Sequence, residues 1–130
     1  MLLSKMNWGI PTPLSLIESR WMAPDAFIIA SGGIWNGVYA AKMIALGSNL
    51  VGLARPILKT LVEHGYNGVK RYLEKYIEEL KITMYLTGTR TPSELCIKPV
   101  VLGPNIRYYM ESRGINIGEY LEKNRCSVIY

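Results

Sequence analysis

The residues best suited to chemistry form a short glycine turn, Ser31-Gly32-Gly33, which follows an apolar run from Phe27 to Ala30. Glycine lets the backbone approach an anion closely, and a following helix points unpaired N–H groups and the positive end of its dipole at it. A helix-like stretch to Gly47 and a second apolar run from Asn49 to Leu53 come next. Ligands of parallel βα folds bind at the carboxyl ends of strands. The pattern therefore predicts a strand–helix–strand unit whose first loop holds the phosphate of a cofactor.

The elements that position this loop can be predicted from hydrophobic spacing and from capping residues. The two strands are expected at Ala26–Ala30, buried on both faces, and at Asn49–Leu53. Six helices are expected. The first two run from Pro13 to about Trp21, with Thr12 as cap, and from Asn36 to Gly47, with Val38, Ala41, Ala45 and Leu46 inward. The other four run from Pro56 to an interruption at Gly65–Gly68, from Val69 to Thr87, from a capping box at Thr91-Pro92-Ser93-Glu94, and from Pro104 to Arg113. A last helix is expected within Asn116–Lys123.

Composition limits the function classes. With 130 residues, 49% of them hydrophobic, one domain over residues 1–130 is expected. The net charge of +5 is spread among acids, as along residues 70–79, which favours a solvated helix face over a nucleic-acid interface. Glu18 and Arg20 are expected to be ordinary charges on a helix surface, and His64, the single histidine, is expected to be structural or exposed to solvent. The spacing of Cys96 and Cys126 indicates no metal site and fits reduced thiols.

The order of the elements raises a problem of stability. Two parallel strands joined by a crossover leave both sheet edges open, and such a pair is not stable alone. Units of this kind are parts of (β/α)₈ barrels or of doubly wound sheets. We therefore expect an α/β fold that forms the end of a larger domain. No segment is long and apolar enough to span a membrane, and the first residues lack a signal-peptide pattern, so a cytoplasmic location is expected.

The chain resembles the C-terminal portion of the FMN-dependent type 2 isopentenyl diphosphate isomerases. The segments that carry the resemblance stand in the family's order: Trp8-Gly9-Ile10-Pro11-Thr12, Ser31-Gly32-Gly33-Ile34, Ala40-Ala41-Lys42-Met43-Ile44-Ala45-Leu46-Gly47, Val51-Gly52-Leu53-Ala54, and Glu79-Leu80-Lys81 with Met84, Leu86, Thr87 and Gly88. The resemblance implies a (β/α)₈ barrel of which this chain holds strands seven and eight, their helices and the C-terminal helices.

The resemblance also implies roles for individual residues. In the family, the loops after strands seven and eight bind the FMN phosphate through backbone amides. Carried over by position, the cofactor-binding residues are Gly32, Gly33, Ile34, Trp35, Ala54 and Arg55. The family usually has arginine at the position of Trp35 and an apolar residue at that of Arg55. Losing a guanidinium weakens a charge-assisted phosphate contact, whereas backbone contacts do not depend on the side chain.

The family's reaction interconverts isopentenyl and dimethylallyl diphosphate, with reduced FMN as acid and base, Mg²⁺ on the diphosphate and NADPH keeping the flavin reduced. Its substrate and metal residues lie on earlier strands, so the resemblance implies no catalytic and no metal-binding residue in this chain. FMN is the implied ligand, and the diphosphate would bind only if other strands complete the barrel. Two alternatives stay open: an inactive degenerate fragment, and a non-catalytic flavin- or phosphate-binding module, with self-association of its open edges into a homo-oligomer.

Overall fold

A computed structural model of the chain describes residues 9–125, so Trp8 and Cys126 lie outside the described part. The elements follow in the order helix α1 (Thr12–Met22), strand β1 (Ile29–Ser31), helix α2 (Gly37–Ala45), strand β2 (Leu50–Gly52), helix α3 (Arg55–Leu86), a 3₁₀ helix (Pro92–Ile97), helix α4 (Pro104–Ser112), and a short helix α5 (Ile117–Glu119) that runs into a π-helical segment (Tyr120–Asn124). This mixture of helices with a small parallel sheet is an α/β arrangement.

The two strands pair in parallel, with Ile29 opposite Leu50, Ala30 opposite Val51 and Ser31 opposite Gly52. The predicted crossover through a helix is therefore confirmed, but both strands are shorter than expected. Residues before Ile29 form a turn instead, in which the N–H of Ala26 donates to Ala23 O. The prediction of two buried faces is also wrong for this chain. Ala30 is buried, whereas Ile29 and Leu50 are 57% and 52% exposed on the other face of the sheet.

Helix α2 covers the buried face of the sheet. Asn36 caps it as predicted, because Asn36 Oδ1 accepts a hydrogen bond from the N–H of Tyr39 at 2.9 Å. Its buried residues are Ala40, Ala41, Met43 and, just after the helix, Leu46. The predicted inward positions Ala41 and Leu46 are confirmed, whereas Val38, also predicted inward, is 39% exposed.

Helix α3 packs along α2 and contains the predicted interruption. Gly65 has φ +61° and ψ −164°, so two helical segments meet there at a kink. Tyr76 is the residue that α3 contributes to the main core, with Tyr72 packed against it. The apolar residues Leu73 and Ile77 of the same helix are 39% and 50% exposed. The apolar face of α3 is thus wider than the surface that α2 covers.

Arg20 corrects the expectation of a surface charge. Its side chain is fully buried, and its five N–H groups make five hydrogen bonds. Nε and Nη2 donate to Gly47 O at 3.0 and 2.6 Å, Nη1 donates to the carbonyls of Pro24 and Ala26, and Nη2 also donates to Asn49 Oδ1 at 2.8 Å. Burial lowers the pKa of Arg20, and the charges of Tyr120 and Asp25 act against this shift. Within residues 9–125, Arg20 forms no ion pair with a carboxylate. Arg20 therefore joins α1, the start of β1 and the end of α2.

The C-terminal elements close the core at the other side. Helix α4 forms where it was predicted, and its inward positions are Ile106, Tyr109 and Met110. Tyr120 is fully buried, and its hydroxyl donates to Leu46 O at 2.5 Å. The expected capping box at Thr91 is wrong: Glu94 accepts from the N–H of Arg90, and the segment is a 3₁₀ helix.

Two further expectations concern the redox state of the cysteines and the presence of a membrane-spanning helix. Cys96 is disulfide-bonded, which corrects the prediction of a reduced thiol at that position. Among residues 9–125, no helix combines the length and the apolar character that a membrane-spanning helix needs.

Candidate functional site

The candidate site consists of the two loops that follow the strands. Ser31 and Gly52 stand opposite each other at the carboxyl ends of β1 and β2. Neighbouring strands lie about 4.8 Å apart, so the segments 32–36 and 53–54 leave the sheet side by side. The structure thus brings the six predicted cofactor-binding residues onto two adjacent loops at one edge of the sheet.

The first loop contains two successive glycines with positive φ. Gly32 and Gly33 have φ values of +100° and +71°, which other residues adopt only with strain. A Cβ built on Gly33 would meet no atom within 4 Å, so the space in front of this residue is open. The side chain of Ile34 is 4% exposed and anchors the loop in the core. In the part of the chain that the structure describes, the N–H groups of Gly33, Ile34 and Trp35 donate no hydrogen bond.

The start of α2 does not offer the donors that the sequence pattern predicted. The N–H of Gly37 donates to Glu79 Oε2 of α3 at 3.0 Å, and the N–H of Tyr39 donates to Asn36. A carboxylate therefore already occupies the positive end of this helix dipole. This contact joins residues 42 positions apart and has no signature in the sequence. Any phosphate at this edge would depend on the loop amides before the helix.

Trp35 lies at the outer side of the first loop. Its side chain is 44% exposed, and its carbonyl accepts a hydrogen bond from the hydroxyl of Tyr72. Burial, helped by the negative charge of Glu79, raises the pKa of Tyr72, so this hydroxyl keeps its proton and remains a donor. A cavity of about 470 Å³ lies next to Trp35 and is lined by His64, Arg71 and Tyr72 among others. The indole occupies the position where an arginine was expected.

The second loop leads directly into α3. Ala54 is the residue before the helix, and Ala54 and Arg55 are both exposed. No side chain of the described residues caps this helix end. Pro56 is buried and has no N–H, so the first turn presents fewer donors than an ordinary helix start. The exposed Arg55 guanidinium is the only cationic side chain among the six predicted residues.

Thr12 is a part of the site that sequence reasoning assigned to another role. The predicted cap is wrong, because α1 begins at Thr12 with Pro11 before it and with no capping side chain in the described chain. The Thr12 hydroxyl instead donates to Gly32 O at 2.7 Å and contacts Ser31 O at 3.2 Å. The signal that could have found it is the Trp8–Thr12 motif, whose threonine follows a proline and precedes an apolar helix face.

The structure offers little else for catalysis within residues 9–125. No group of three or more His, Cys, Asp or Glu side chains in this range is arranged to hold a metal ion. His64 is exposed on α3, beside the kink at Gly65. The described residues thus provide backbone donors on the first loop and cationic side chains at its border, with Arg55 exposed on the second loop and Arg71 lining the cavity next to Trp35.

Comparisons with known proteins agree with this chemistry. Residues 11–101 match the FMN-dependent dehydrogenase family. Curated relatives include the isopentenyl-diphosphate delta-isomerases of Sulfurisphaera tokodaii, Metallosphaera sedula and Ignicoccus hospitalis, which are 45%, 42% and 46% identical over 115, 114 and 109 residues. The matches cover 84–88% of this chain but only 30–31% of each relative. The resemblance to isopentenyl diphosphate isomerases is thereby confirmed.

Proposed function

Because the chain belongs to the FMN-dependent dehydrogenase family, we propose that it supplies the phosphate-binding edge of an FMN site. The observation that carries this proposal is the first loop, where three consecutive backbone N–H groups, those of Gly33, Ile34 and Trp35, have no hydrogen-bond partner among the described residues. A Cβ built on Gly33 would also meet no atom within 4 Å. Successive amides of a glycine turn form a concavity that binds anions. The residues that would hold the phosphate are Gly32, Gly33, Ile34 and Trp35 with Ala54 and Arg55.

The two departures from the expected pattern fit a site built from the backbone. At the position of Trp35 no guanidinium is available, but the main-chain donor of this residue is retained. Arg55 lies on the neighbouring loop and would place a positive charge near the phosphate from the other side. The proposal therefore assigns the phosphate contacts to amides and assigns the long-range attraction to Arg55.

We further propose that the site belongs to a (β/α)₈ barrel of an isopentenyl diphosphate isomerase, in which β1 and β2 are strands seven and eight and residues 1–130 form one part of the barrel domain. The chain spans 31% of the length of the Sulfurisphaera tokodaii relative. Ile29 and Leu50, opposite each other on the exposed face of the sheet, are 57% and 52% exposed, as residues of an incomplete barrel interior would be.

In a completed barrel the substrate would be isopentenyl diphosphate and the product dimethylallyl diphosphate. Reduced FMN would supply the acid and base for the proton shift. The groups that bind Mg²⁺, NADPH and the diphosphate would come from strands outside these 130 residues. The described residues contribute the phosphate contacts, and Ile34 and Tyr72 hold the loop that carries them.

The phosphate site is tested by titrating the full chain with FMN and with riboflavin, which lacks the phosphate, while following flavin fluorescence. The proposal predicts saturable binding of FMN and at least tenfold weaker binding of riboflavin. Equal binding of the two flavins, or no binding of FMN, would overturn it.

A pair of variants separates the phosphate site from general stability. Gly33→Ala and Gly114→Ala introduce the same strain, because both glycines have φ near +70° and neither has an atom within 4 Å of the added Cβ. Each should cost about 1 kcal/mol of stability. Only Gly33→Ala is expected to weaken FMN binding, since Gly114 lies after α4. Equal loss of affinity in both variants would contradict the assignment.

Barrel completion is tested by adding the part of the Sulfurisphaera tokodaii relative that lies outside the match. The two polypeptides should form a complex that converts isopentenyl diphosphate in the presence of FMN, Mg²⁺ and NADPH. A complex without conversion would support the alternative of a flavin-binding module.

A further inference from the structure

We propose that the Thr12 hydroxyl orients the N–H of Gly33, the first of the three amides of the first loop, toward the phosphate. This inference rests on the proposed FMN site, and it gives a function to a residue of α1 that makes no contact with the cofactor in that proposal. Thr12 is a positioning residue: its hydroxyl contacts two successive carbonyls, those of Ser31 and Gly32, at 3.2 and 2.7 Å.

Peptide geometry converts this contact into a direction for two N–H groups. A trans peptide is planar, with its C=O and N–H pointing in opposite directions. The described residues contain no cis peptide bond. The carbonyl of Ser31 shares a peptide with the N–H of Gly32, and the carbonyl of Gly32 shares one with the N–H of Gly33. Because both carbonyls accept from the Thr12 hydroxyl, the N–H groups of Gly32 and Gly33 point away from it. Of these two, the N–H of Gly33 is the first of the three proposed phosphate donors.

Glycine is what allows the hydroxyl to come so close. A Cβ on Gly32 would lie 3.1 Å from Thr12 Oγ1, which is tighter than an ordinary contact, and the φ of +100° adds strain for any other residue. The contact therefore requires a hydroxyl side chain at position 12 and a glycine 20 residues later, at position 32. Neither the glycine nor the threonine alone would fix the carbonyl directions.

The hydroxyl is itself held on a rigid element. Thr12 is the first residue of α1, where Leu14 N and Ser15 N donate to Pro11 O at 2.9 and 3.0 Å. One turn later, Leu16 and Ile17 are 4% and 0% exposed in the core. A functional group on a packed helix is placed more exactly than one on a loop. The packing of α1 in the core thus fixes the Thr12 side chain, and the Thr12 hydroxyl in turn fixes the glycine turn.

The test compares Thr12→Val, which has nearly the same shape without the hydroxyl, with Thr12→Ser, which keeps it. Ser19→Ala is the matched control, because Ser19 Oγ donates to Ser15 O at 2.8 Å on the same helix without touching the loop. The first readout needs no cofactor: backbone ¹⁵N order parameters of the full chain, with circular dichroism to verify folding.

In Thr12→Val, the order parameters of Gly32 and Gly33 should fall from about 0.85 to below about 0.6, while those of α2 stay unchanged. Thr12→Ser and Ser19→Ala should keep the values of the unaltered chain. Unchanged order parameters in a folded Thr12→Val protein would overturn the proposal. If Thr12→Val does not fold, the same loss of loop order with Thr12→Ser, which retains the hydroxyl, would overturn it.

The second readout is the dissociation constant for FMN. Thr12→Val removes the hydrogen bond to Gly32 O that positions the loop, and this loss should weaken the affinity for FMN about tenfold. Thr12→Ser should restore most of it, and Ser19→Ala should have no effect. A chain that binds no FMN but shows the predicted loss of loop order would refute the FMN site and leave the role of Thr12 standing. FMN binding that Thr12→Val does not change would refute the role of Thr12 alone.

Discussion

Replacing Arg20 by methionine should remove a large part of the stability of this fold. Arg20 is fully buried, and its five hydrogen bonds end on three backbone carbonyls and on Asn49 Oδ1. Methionine has a similar length and apolar volume but offers no donor. The carbonyls of Pro24, Ala26 and Gly47 would lose the guanidinium bonds.

The magnitude follows from the groups left without a partner. An unsatisfied buried acceptor costs about 1–3 kcal/mol. Three carbonyls at the lower end of this range give a loss of about 3 kcal/mol. The lower end applies because methionine no longer carries the cost of burying a cation without a carboxylate partner. With a urea dependence of about 2 kcal/mol per M, the midpoint should fall by about 1.5 M.

The assay is urea unfolding of the full chain followed by circular dichroism. Arg113→Met is the matched control, because the Arg113 side chain is 58% exposed where it pairs with Glu18 at 2.5 Å, and ion pairs at the surface contribute about 0–1 kcal/mol. Arg20→Lys should lie between the two, since a lysine keeps the charge but cannot reach several acceptors at once. If Arg20→Met and Arg113→Met unfold at the same urea concentration, the reasoning about the buried guanidinium is wrong.

Three more predictions concern the packing of α2 and α3 and the buried tyrosines. Gly37→Ala should destabilise the chain by about 2–3 kcal/mol in urea unfolding, because its Cβ would lie 2.2 Å from Tyr76 O, and a loss below about 0.5 kcal/mol would contradict this. Tyr76→Phe should stabilise the chain by up to about 1 kcal/mol, since the Tyr76 hydroxyl is buried without a partner in the described residues. Tyr120→Phe should destabilise it by about 1–2 kcal/mol, because Leu46 O would lose its hydrogen bond. A change of the free energy of unfolding in the same direction for both variants would refute this contrast. Burial, with Tyr72 and Glu79 nearby, raises the pKa of Tyr76 to about 12. Above about pH 10 the unfolded chain therefore releases this proton while the folded chain still holds it. The free energy of unfolding, measured in urea, should fall between about pH 10 and 12, and it should fall less steeply in Tyr76→Phe.

Local sequence patterns predicted the frame of the site well. The crossover between two parallel strands, the cap at Asn36 and the interruption at Gly65 are properties of neighbouring residues, and the structure contains all three. The positions of the two loops followed from the strands, because parallel strands end at the same edge. These features needed only periodicity, glycine and capping chemistry.

The contacts that hold the loops in place could not be predicted in this way. Thr12 to Gly32, Arg20 to Gly47 and Gly37 to Glu79 join residues 20, 27 and 42 positions apart. A charged or hydroxyl side chain on a helix has the same local pattern whether it faces solvent or a distant carbonyl. The exposure of one sheet face was not predicted for a related reason. An apolar residue such as Ile29 indicates that its side chain is covered, but the sequence does not say whether this chain covers it.

The most direct test of the central claim is a ¹H–¹⁵N spectrum of the full chain recorded with and without FMN. The claim is that backbone amides of two adjacent loops bind the phosphate. It predicts large downfield shifts of the amides of Gly33, Ile34 and Trp35, smaller changes at Arg55, and none of these with riboflavin. FMN-induced shifts elsewhere, or equal shifts with riboflavin, would contradict it.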